Sequence, residues 1–227
     1  MKKISVIMSV HNSENFLERS INSILQQTYE NFKFLIINDG SKDKTSSILK
    51  YFKKKDERIF IFENKSNIGL TKSLNILINQ TAGDLIARQD ADDISNKLRF
   101  EYQVSFLDQF GYDGCTTMAS SLQSGNTIHR VKNYIPPKIM IKYRNPFIHG
   151  SLLIKKAALD SIGGYNENFK YAQDYKLMSD LLNNSFKIKI MKKDLYKLNT
   201  LDNISTIYKS EQQYYANCVK KNLDPKK

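Results

Sequence analysis

Asp90-Ala91-Asp92-Asp93 places three carboxylates within four residues, the densest grouping of carboxylates in the chain. Carboxylates this close repel one another, so the grouping is costly unless something positive lies among them. Magnesium or manganese is the natural candidate, because each takes oxygen ligands and bridges protein carboxylates to substrate phosphates. The spacing lets one or two carboxylates face such an ion while another reaches a ribose or sugar hydroxyl. A solvated acidic turn ahead of a helix starting near Asn96 is the competing reading of the same residues.

The elements around this cluster decide whether it can form a site. Ile4 to Val10 is a β-rich run, and Phe16, Leu17, Ile21, Ile24 and Leu25 follow at helical spacing with Asn12-Ser13 as the expected N-cap. Phe32 to Ile37 predicts a second strand, closed by Asn38-Asp39-Gly40-Ser41, and Asp43 is placed to cap a helix carrying Ile48, Leu49 and Phe52. Arg58 to Phe62, Leu70 to Ile78 and Asp84 to Ala87 predict a strand, a helix and a short strand. Continuous apolar strands alternating with amphipathic helices indicate an α/β fold whose central sheet is mainly parallel and covered on both faces. Ligands of such sheets sit at the carboxyl ends of the strands. Three polar loops, Val10 to Ser13, Asn38 to Asp43 and Gln89 to Asp93, fall there together.

The second half is less regular. Lys97 to Phe110 predicts a helix with Leu98, Tyr102, Ser105 and Phe106 on one stripe, and Asp113 to Leu122 and Thr127 to Val131 predict strands. Pro136-Pro137 and Asn145-Pro146 mark turns around a short helix. Ser151 to Ile154 reads as a buried strand and Ala172 to Leu182 as a helix. No linker is visible. A single domain in two parts is expected, 1–105 ending in the acidic cluster and 106–205 after it, with 206–227 a basic tail or helix.

Bulk properties narrow the partners. Of 227 residues, 41% are hydrophobic and 26% charged, as in an ordinary globular protein. Lysine and arginine outnumber acids by 35 to 23, a formal charge of +12 that favours anionic partners without choosing among them. Nucleic-acid binding would rest on charge alone, and no such partner is expected. Cys115 and Cys218 are far apart and lack metal-site spacing, which argues against a disulfide framework and fits a reducing compartment. No run approaches the ~20 apolar residues a membrane span needs. The stretch after Lys2-Lys3 reads as a strand rather than a signal peptide. A cytoplasmic protein, resting at most on a membrane surface, is expected.

Several segments in order carry a further resemblance. Ile4-Ser5-Val6-Ile7-Met8-Ser9-Val10-His11-Asn12, Ser20-Ile21-Asn22-Ser23-Ile24-Leu25-Gln26-Gln27-Thr28 and Ile37-Asn38-Asp39-Gly40-Ser41 resemble the opening of family 2 glycosyltransferases. Asn67-Ile68-Gly69-Leu70 with Asn75, Gly83-Asp84, Arg88-Gln89-Asp90-Ala91-Asp92-Asp93, Pro146-Phe147-Ile148-His149-Gly150-Ser151, Gly163-Gly164-Tyr165 and Ala172-Gln173-Asp174-Tyr175 continue the pattern, and the resemblance runs to about Ser205. It implies a GT-A fold and an inverting transfer of sugar from a nucleotide-diphosphate sugar, most simply a UDP-sugar, to a saccharide hydroxyl. Glycans or lipid-linked saccharides of cell-surface polymers are the implied acceptors.

The resemblance also implies roles. Asp39 would bond the nucleotide base, or simply stabilise the turn before Gly40. Val10, His11 and Asn12 would line the base pocket, with Asn67, Gly69 and Ala91 bordering the donor. Lys72 and Arg88 would meet phosphate or a carboxylate, unless they are plain ion-pair residues. Asp92 would sit nearest the metal with Asp90, and His149 joins them as a candidate ligand, although a hydrogen-bonded core histidine fits equally. Asp174 would be the general base that inversion requires, or else a carboxylate favoured by a helix N-terminus. Glu167 is the reserve base, and Asp93 belongs to the surrounding network. Tyr196-Lys197-Leu198-Asn199 stands where relatives carry Tyr-Arg-x-His, so Asn199 replaces a cationic diphosphate contact with a neutral one. The basic C-terminal part (Lys209, Lys220, Lys221, Lys226, Lys227) with Tyr214 and Tyr215 is either a membrane contact or a solvated helix. A sugar-phosphate nucleotidyltransferase is the rival enzyme, but Val10-His11-Asn12-Ser13-Glu14 is not its Gly-rich loop. A catalytically silent nucleotide-sugar-binding subunit is the rival from another class.

Overall fold

The computed structural model describes residues 1–128, 136–201 and 208–226. β1 (Ile4–Val10), α1 (Leu17–Leu25), β2 (Phe32–Asp39), α2 (Thr45–Lys55), β3 (Ile59–Asn64), α3 (Leu70–Asn79) and β4 (Leu85–Arg88) alternate through the first part. β5 (Ile94–Ser95), α4 (Arg99–Phe110), β6 (Gly114–Ser121), α5 (Pro137–Met140), β7 (Leu153–Lys155), α6 (Lys156–Ser161), α7 (Gln173–Asn183), β8 (Ile188–Leu198) and α8 (Lys209–Lys221) follow.

Side-chain alternation explains why the first strands read as unbroken apolar runs. Successive residues of a strand point to opposite faces. Ile4, Val6, Met8 and Val10 of β1 and Phe32, Phe34 and Ile36 of β2 join α1, α2 and α4 in one core. Ile7 of β1 and Leu35 and Ile37 of β2 enter a second core with α3, α7 and Val219 of α8. Both faces are therefore dry, which is what an apolar residue at every position requires.

The strands form one sheet in the order β3-β2-β1-β4-β7-β6-β8-β5. β1 to β4 pair in parallel, as do β6 and β8, and the antiparallel joins all involve β7 or β5. The chain runs outward from β1 to β2 and β3, then returns to place β4 on the other side of β1. That reversal beside β1 opens the crevice at the strand ends where ligands of such sheets bind.

Some expectations need correcting. Asn12-Ser13 does not cap α1, which starts at Leu17 after Phe16; Asn12 instead takes a left-handed conformation (φ 49°). Asp43 does accept the Thr45 amide at 3.0 Å at the start of α2. The buried stripe of α4 is Arg99, Phe100, Gln103, Val104 and Leu107, not Leu98, Tyr102, Ser105 and Phe106. Arg99 and Gln103 are polar core residues whose partners are backbone carbonyls of distant segments, and a hydrophobic pattern cannot find them. The strand expected over Ser151 to Ile154 begins at Leu153, after a 3-10 turn over His149–Ser151. Of the strand expected over Thr127 to Val131, Thr127 makes an isolated bridge to Ser120, and 129–131 lie outside the described residues, as does Lys227. β5, β8 and α6 were not anticipated.

Phe34 is wholly enclosed in the first core. Phe34→Ala should cost about 3–5 kcal/mol of stability in urea unfolding; a loss under about 1 kcal/mol would mean that this core does not hold the sheet.

Candidate functional site

The loops after β1 and β2 are laced together. His11 Nδ1 donates to the Asp39 carbonyl at 2.8 Å, the Asn12 amide to Ser41 Oγ at 3.0 Å, and the Lys42 amide to Asn12 Oδ1 at 2.9 Å. Asp39 itself is buried, and its carboxylate accepts Asn64 Nδ2 and the amides of Ile68 and Gly69, all at 2.8–2.9 Å. It thereby fastens the turn that leads into α3. Gly69 needs its positive φ of 93° there, and Gly40 packs so tightly that an added Cβ would meet Ser66 backbone at 2.6 Å. A carboxylate has roughly four acceptor sites, so Asp39 keeps about one for a ligand. Val10 is buried behind this loop, while Asn67 and Lys72 are exposed on its outer side.

The acidic loop follows β4. Arg88 is fully buried, and its Nη2 donates to Asp90 Oδ1 at 2.6 Å. Its Nη1 donates to the Gln89 carbonyl. Burial pulls the Arg88 pKa down, but Asp90 and the tyrosines Tyr165 and Tyr196 raise it overall. Ser20 Oγ, from α1, donates to the Asp90 carbonyl at 2.6 Å, and the Asp90 amide donates to Tyr196 Oη at 3.1 Å. Asp93 is buried, and its Oδ1 accepts the Asn199 amide at 2.7 Å. Burial first, then the charges of Asp90 and Asp92, push the Asp93 pKa up to about 8. The Asp92 pKa is raised for the same reasons, burial and then Asp90. Asp92 accepts Asn199 Nδ2 at 3.2 Å, and its carbonyl accepts Arg19 Nη2 at 3.0 Å. Asn199 thus lies on the acids themselves. Ala91 packs against the first core between them.

Arg99 lies behind Arg88. It is wholly buried, and its Nη1 donates to the carbonyls of Arg88 at 3.1 Å and Gly150 at 2.9 Å. Gly150 touches the acids directly: a Cβ there would sit 2.6 Å from Asp90 Oδ2 and would overlap Tyr196 Oη. His149, next to it, shares a 2.6 Å hydrogen bond between Nε2 and Tyr165 Oη. Burial, then the Arg88 charge, lower the His149 pKa to about 4, against the pull of Asp174 and Asp90. Asp174, in the first turn of α7, is oriented by Asn145, whose Nδ2 donates to Oδ2 at 2.7 Å. Glu167 is exposed and held by Asn75 Nδ2 at 3.0 Å, with no described contact to Asp90, Asp92 or Asp174.

Asp90, Asp92, Asp93, Asn199 and Arg88 are therefore gathered, with His149 and Asp174 bordering them. Asn67, Lys72 and Glu167 stand apart. Arg99, Asn145, Gly150, Tyr165 and Tyr196 contribute without having been singled out as site residues. The last three sit in segments that carried the family resemblance, whereas nothing local marks Arg99.

The acids suit one mode of metal binding and not another. Among the described residues, no three His, Cys, Asp or Glu side chains are gathered to hold an ion. His149 Nε2 is engaged by Tyr165, so His149, Asp90 and Asp92 are not assembled as a protein cage. Asp92, raised in pKa and retaining free acceptor sites, fits the arrangement in which one or two carboxylates and substrate phosphates share a magnesium-like ion.

An α/β sheet with helices on both faces and an acidic loop at its switch point has the architecture of GT-A type glycosyltransferases. The profile of glycosyl transferase family 2 matches residues 5–197, and the chain belongs to that family. EpsE of Bacillus subtilis (strain 168), named as a glycosyltransferase, is 35% identical over 202 residues, 86% of this chain and 72% of EpsE. The O-antigen biosynthesis glycosyltransferase WbnJ of Escherichia coli is 33% identical over 185 residues, 79% of this chain and 72% of WbnJ. S. aureus TarS 1-349 in complex with UDP-GlcNAc superimposes with a TM-score of 0.78 at 20% identity, covering 91% of this chain and 61% of that one. The mannosyltransferase PcManGT of Pyrobaculum calidifontis, in complex with GDP-Man and Mn2+, gives 0.78 at 14% identity, with 94% and 61% covered. The chain spans less than two thirds of both solved proteins and 59% of a Haemophilus influenzae glycosyltransferase. No helix among the described residues is long and apolar enough to cross a membrane.

Because Gly150 admits Tyr196 Oη, Gly150→Ala should destabilise the protein by about 1–3 kcal/mol. Adding Tyr196→Phe should recover part of that loss in a double-mutant cycle. Strict additivity of the two would contradict the packing described.

Proposed function

We propose that this glycosyltransferase moves a sugar from a UDP-sugar to a saccharide hydroxyl with inversion at the anomeric carbon. The observation that carries the reading is the acidic loop after β4, where Arg88 holds Asp90 and Asn199 holds Asp92 and Asp93, against the Gly150 backbone that leads to His149. UDP-GlcNAc and GDP-Man in the solved neighbours support a nucleotide-sugar donor, and the name of WbnJ supports a surface-polysaccharide acceptor.

Asp174 takes the proton from the acceptor hydroxyl as that oxygen bonds to the anomeric carbon, while the bond to the diphosphate breaks and its electron pair stays on phosphate. Asn145 fixes the direction in which Asp174 presents its carboxylate. Asp39 and the loop from Val10 to Asn12, with Asn67 and Gly69 near by, receive the base and ribose. Arg88 holds Asp90 in place from below, and Asn199 positions Asp92 and Asp93. A magnesium or manganese ion, held by Asp92 with Asp90 adjacent, would balance the charge on the leaving diphosphate. The loop after β1 has no run of glycines, which counts against a nucleotidyltransferase.

A panel of UDP-sugars with manganese tests this by following UDP release. Asp92→Ala is expected to abolish metal-dependent release. Asp174→Asn is expected to lower transfer to an acceptor by about 10²–10⁴-fold while leaving UDP binding near wild type. Metal-dependent nucleotide binding without turnover would favour a silent binding subunit, and absence of both would overturn the donor-site assignment.

A further inference from the structure

The segment from Pro136 to Arg144 presents apolar and basic side chains to solvent together. Met140 and Ile141 are buried, and Tyr175 Oη donates to the Ile141 carbonyl at 2.6 Å, which pins the segment to α7. The helical turns continue past α5, with the amides of Tyr143 and Arg144 bonded to the Met140 carbonyl at 2.9 and 3.0 Å. Ile139 and Tyr143, four residues apart, therefore share a face, and they are 53% and 68% exposed. Lys138, Lys142 and Arg144 are exposed around them, and none forms an ion pair among the described residues. The chain has 23 acidic residues, yet none lies between Gly114 and Leu159. By contrast, Lys155 and Lys156 at the end of that stretch are paired with Asp113 and Asp160.

We propose that the 136–144 segment docks on an anionic lipid bilayer, with Ile139 and Tyr143 entering the headgroup region and Lys138, Lys142 and Arg144 contacting lipid phosphates. A cationic surface attracts any polyanion, but a nucleic acid or acidic glycan gives no return for an exposed isoleucine. An aliphatic and a tyrosine side chain ringed by lysine and arginine stems is the chemistry of the membrane interface. α8 is a poorer candidate. Cys218 and Val219 bury its inner face, Tyr215 packs on the second core, and Glu211 and Asp224 interrupt its cations. The next residue after the segment, Asn145, holds Asp174. If Asp174 is the base, as proposed above, the bilayer contact brings an acceptor saccharide anchored in lipid to its side.

Cosedimentation of the whole chain with vesicles at physiological salt tests the docking without any sugar substrate. Binding to phosphatidylcholine–phosphatidylglycerol vesicles and none to phosphatidylcholine alone is expected. Lys138→Gln, Lys142→Gln and Arg144→Gln combined should weaken it on the order of 100-fold, at about a factor of five per cation. Ile139→Ser with Tyr143→Ser should also weaken it by at least about tenfold, with unchanged thermal unfolding because both positions are exposed. Lys220→Gln with Lys221→Gln should leave it near wild type. No binding to the anionic vesicles would overturn the proposal. So would binding lost only in the Lys220/Lys221 variant, or binding indifferent to Ile139→Ser and Tyr143→Ser and matched by heparin retention. UDP release by the same variants, measured separately, should remain intact, so failure here and failure of the donor site are distinguishable.

Discussion

Two guanidinium groups, Arg88 and Arg99, are buried completely beneath the acidic loop, and the arrangement above them follows from how that cost is met. An isolated charge in a protein interior is expensive unless paired and hydrogen-bonded. Asp90 neutralises Arg88 and is thereby held at the end of β4. Arg99 forms no ion pair among the described residues. It donates to the carbonyls of Arg88 and Gly150 and lies over the rings of Phe100 and Tyr196. Burial lowers its pKa to about 10, with Arg88 adding to the shift against the pull of Tyr196 and Cys115. The carbonyls that Arg99 grips belong to the two segments carrying Asp90 and His149, so one buried cation joins the end of β4 to the turn before β7.

Compensation stops at Asp90. Asp92 and Asp93 take hydrogen bonds from Asn199 and form no ion pair among the described residues, and burial, followed by the neighbouring carboxylates, raises the pKa of both. A cluster that is neutralised on its inner side and uncompensated on its outer side is suited to receive positive charge from the crevice. The same logic covers Asp39. Its three donors consume most of its acceptor capacity in fixing the 64–69 turn, and what remains points to a single further contact.

The first part of the fold was legible because its signals are local. Apolar strands of seven or eight residues, polar loops at their ends and the Asp90 to Asp93 run each occupy one short window. Asn199 was readable only as a substitution in a motif, yet its amide and side chain reach Asp93 and Asp92 across 106 and 107 residues of sequence. The helix over Lys97 to Phe110 was expected to bury Leu98, Tyr102, Ser105 and Phe106, but Arg99 and Gln103 lie on its buried face because their partners, Arg88, Gly150, Cys115 and Ser151, come from three other elements. β8 lacked a strand pattern because Lys192, Lys193 and Asp194 are exposed in succession and Leu195 and Tyr196 buried in succession, where its pairing with β6 shifts register. His149 was offered as a ligand and is found engaged with Tyr165, a pairing that no spacing rule foretells.

The most direct measurement is an anomalous-difference map from crystals grown with UDP and manganese. Uncompensated carboxylates at the crevice predict one strong peak between Asp92 and the diphosphate, with Asp90 still on Arg88 and His149 Nε2 still on Tyr165 Oη. A peak coordinated by His149, or UDP bound away from the ends of β1, β2 and β4 with no metal at Asp92, would contradict this placement of the site.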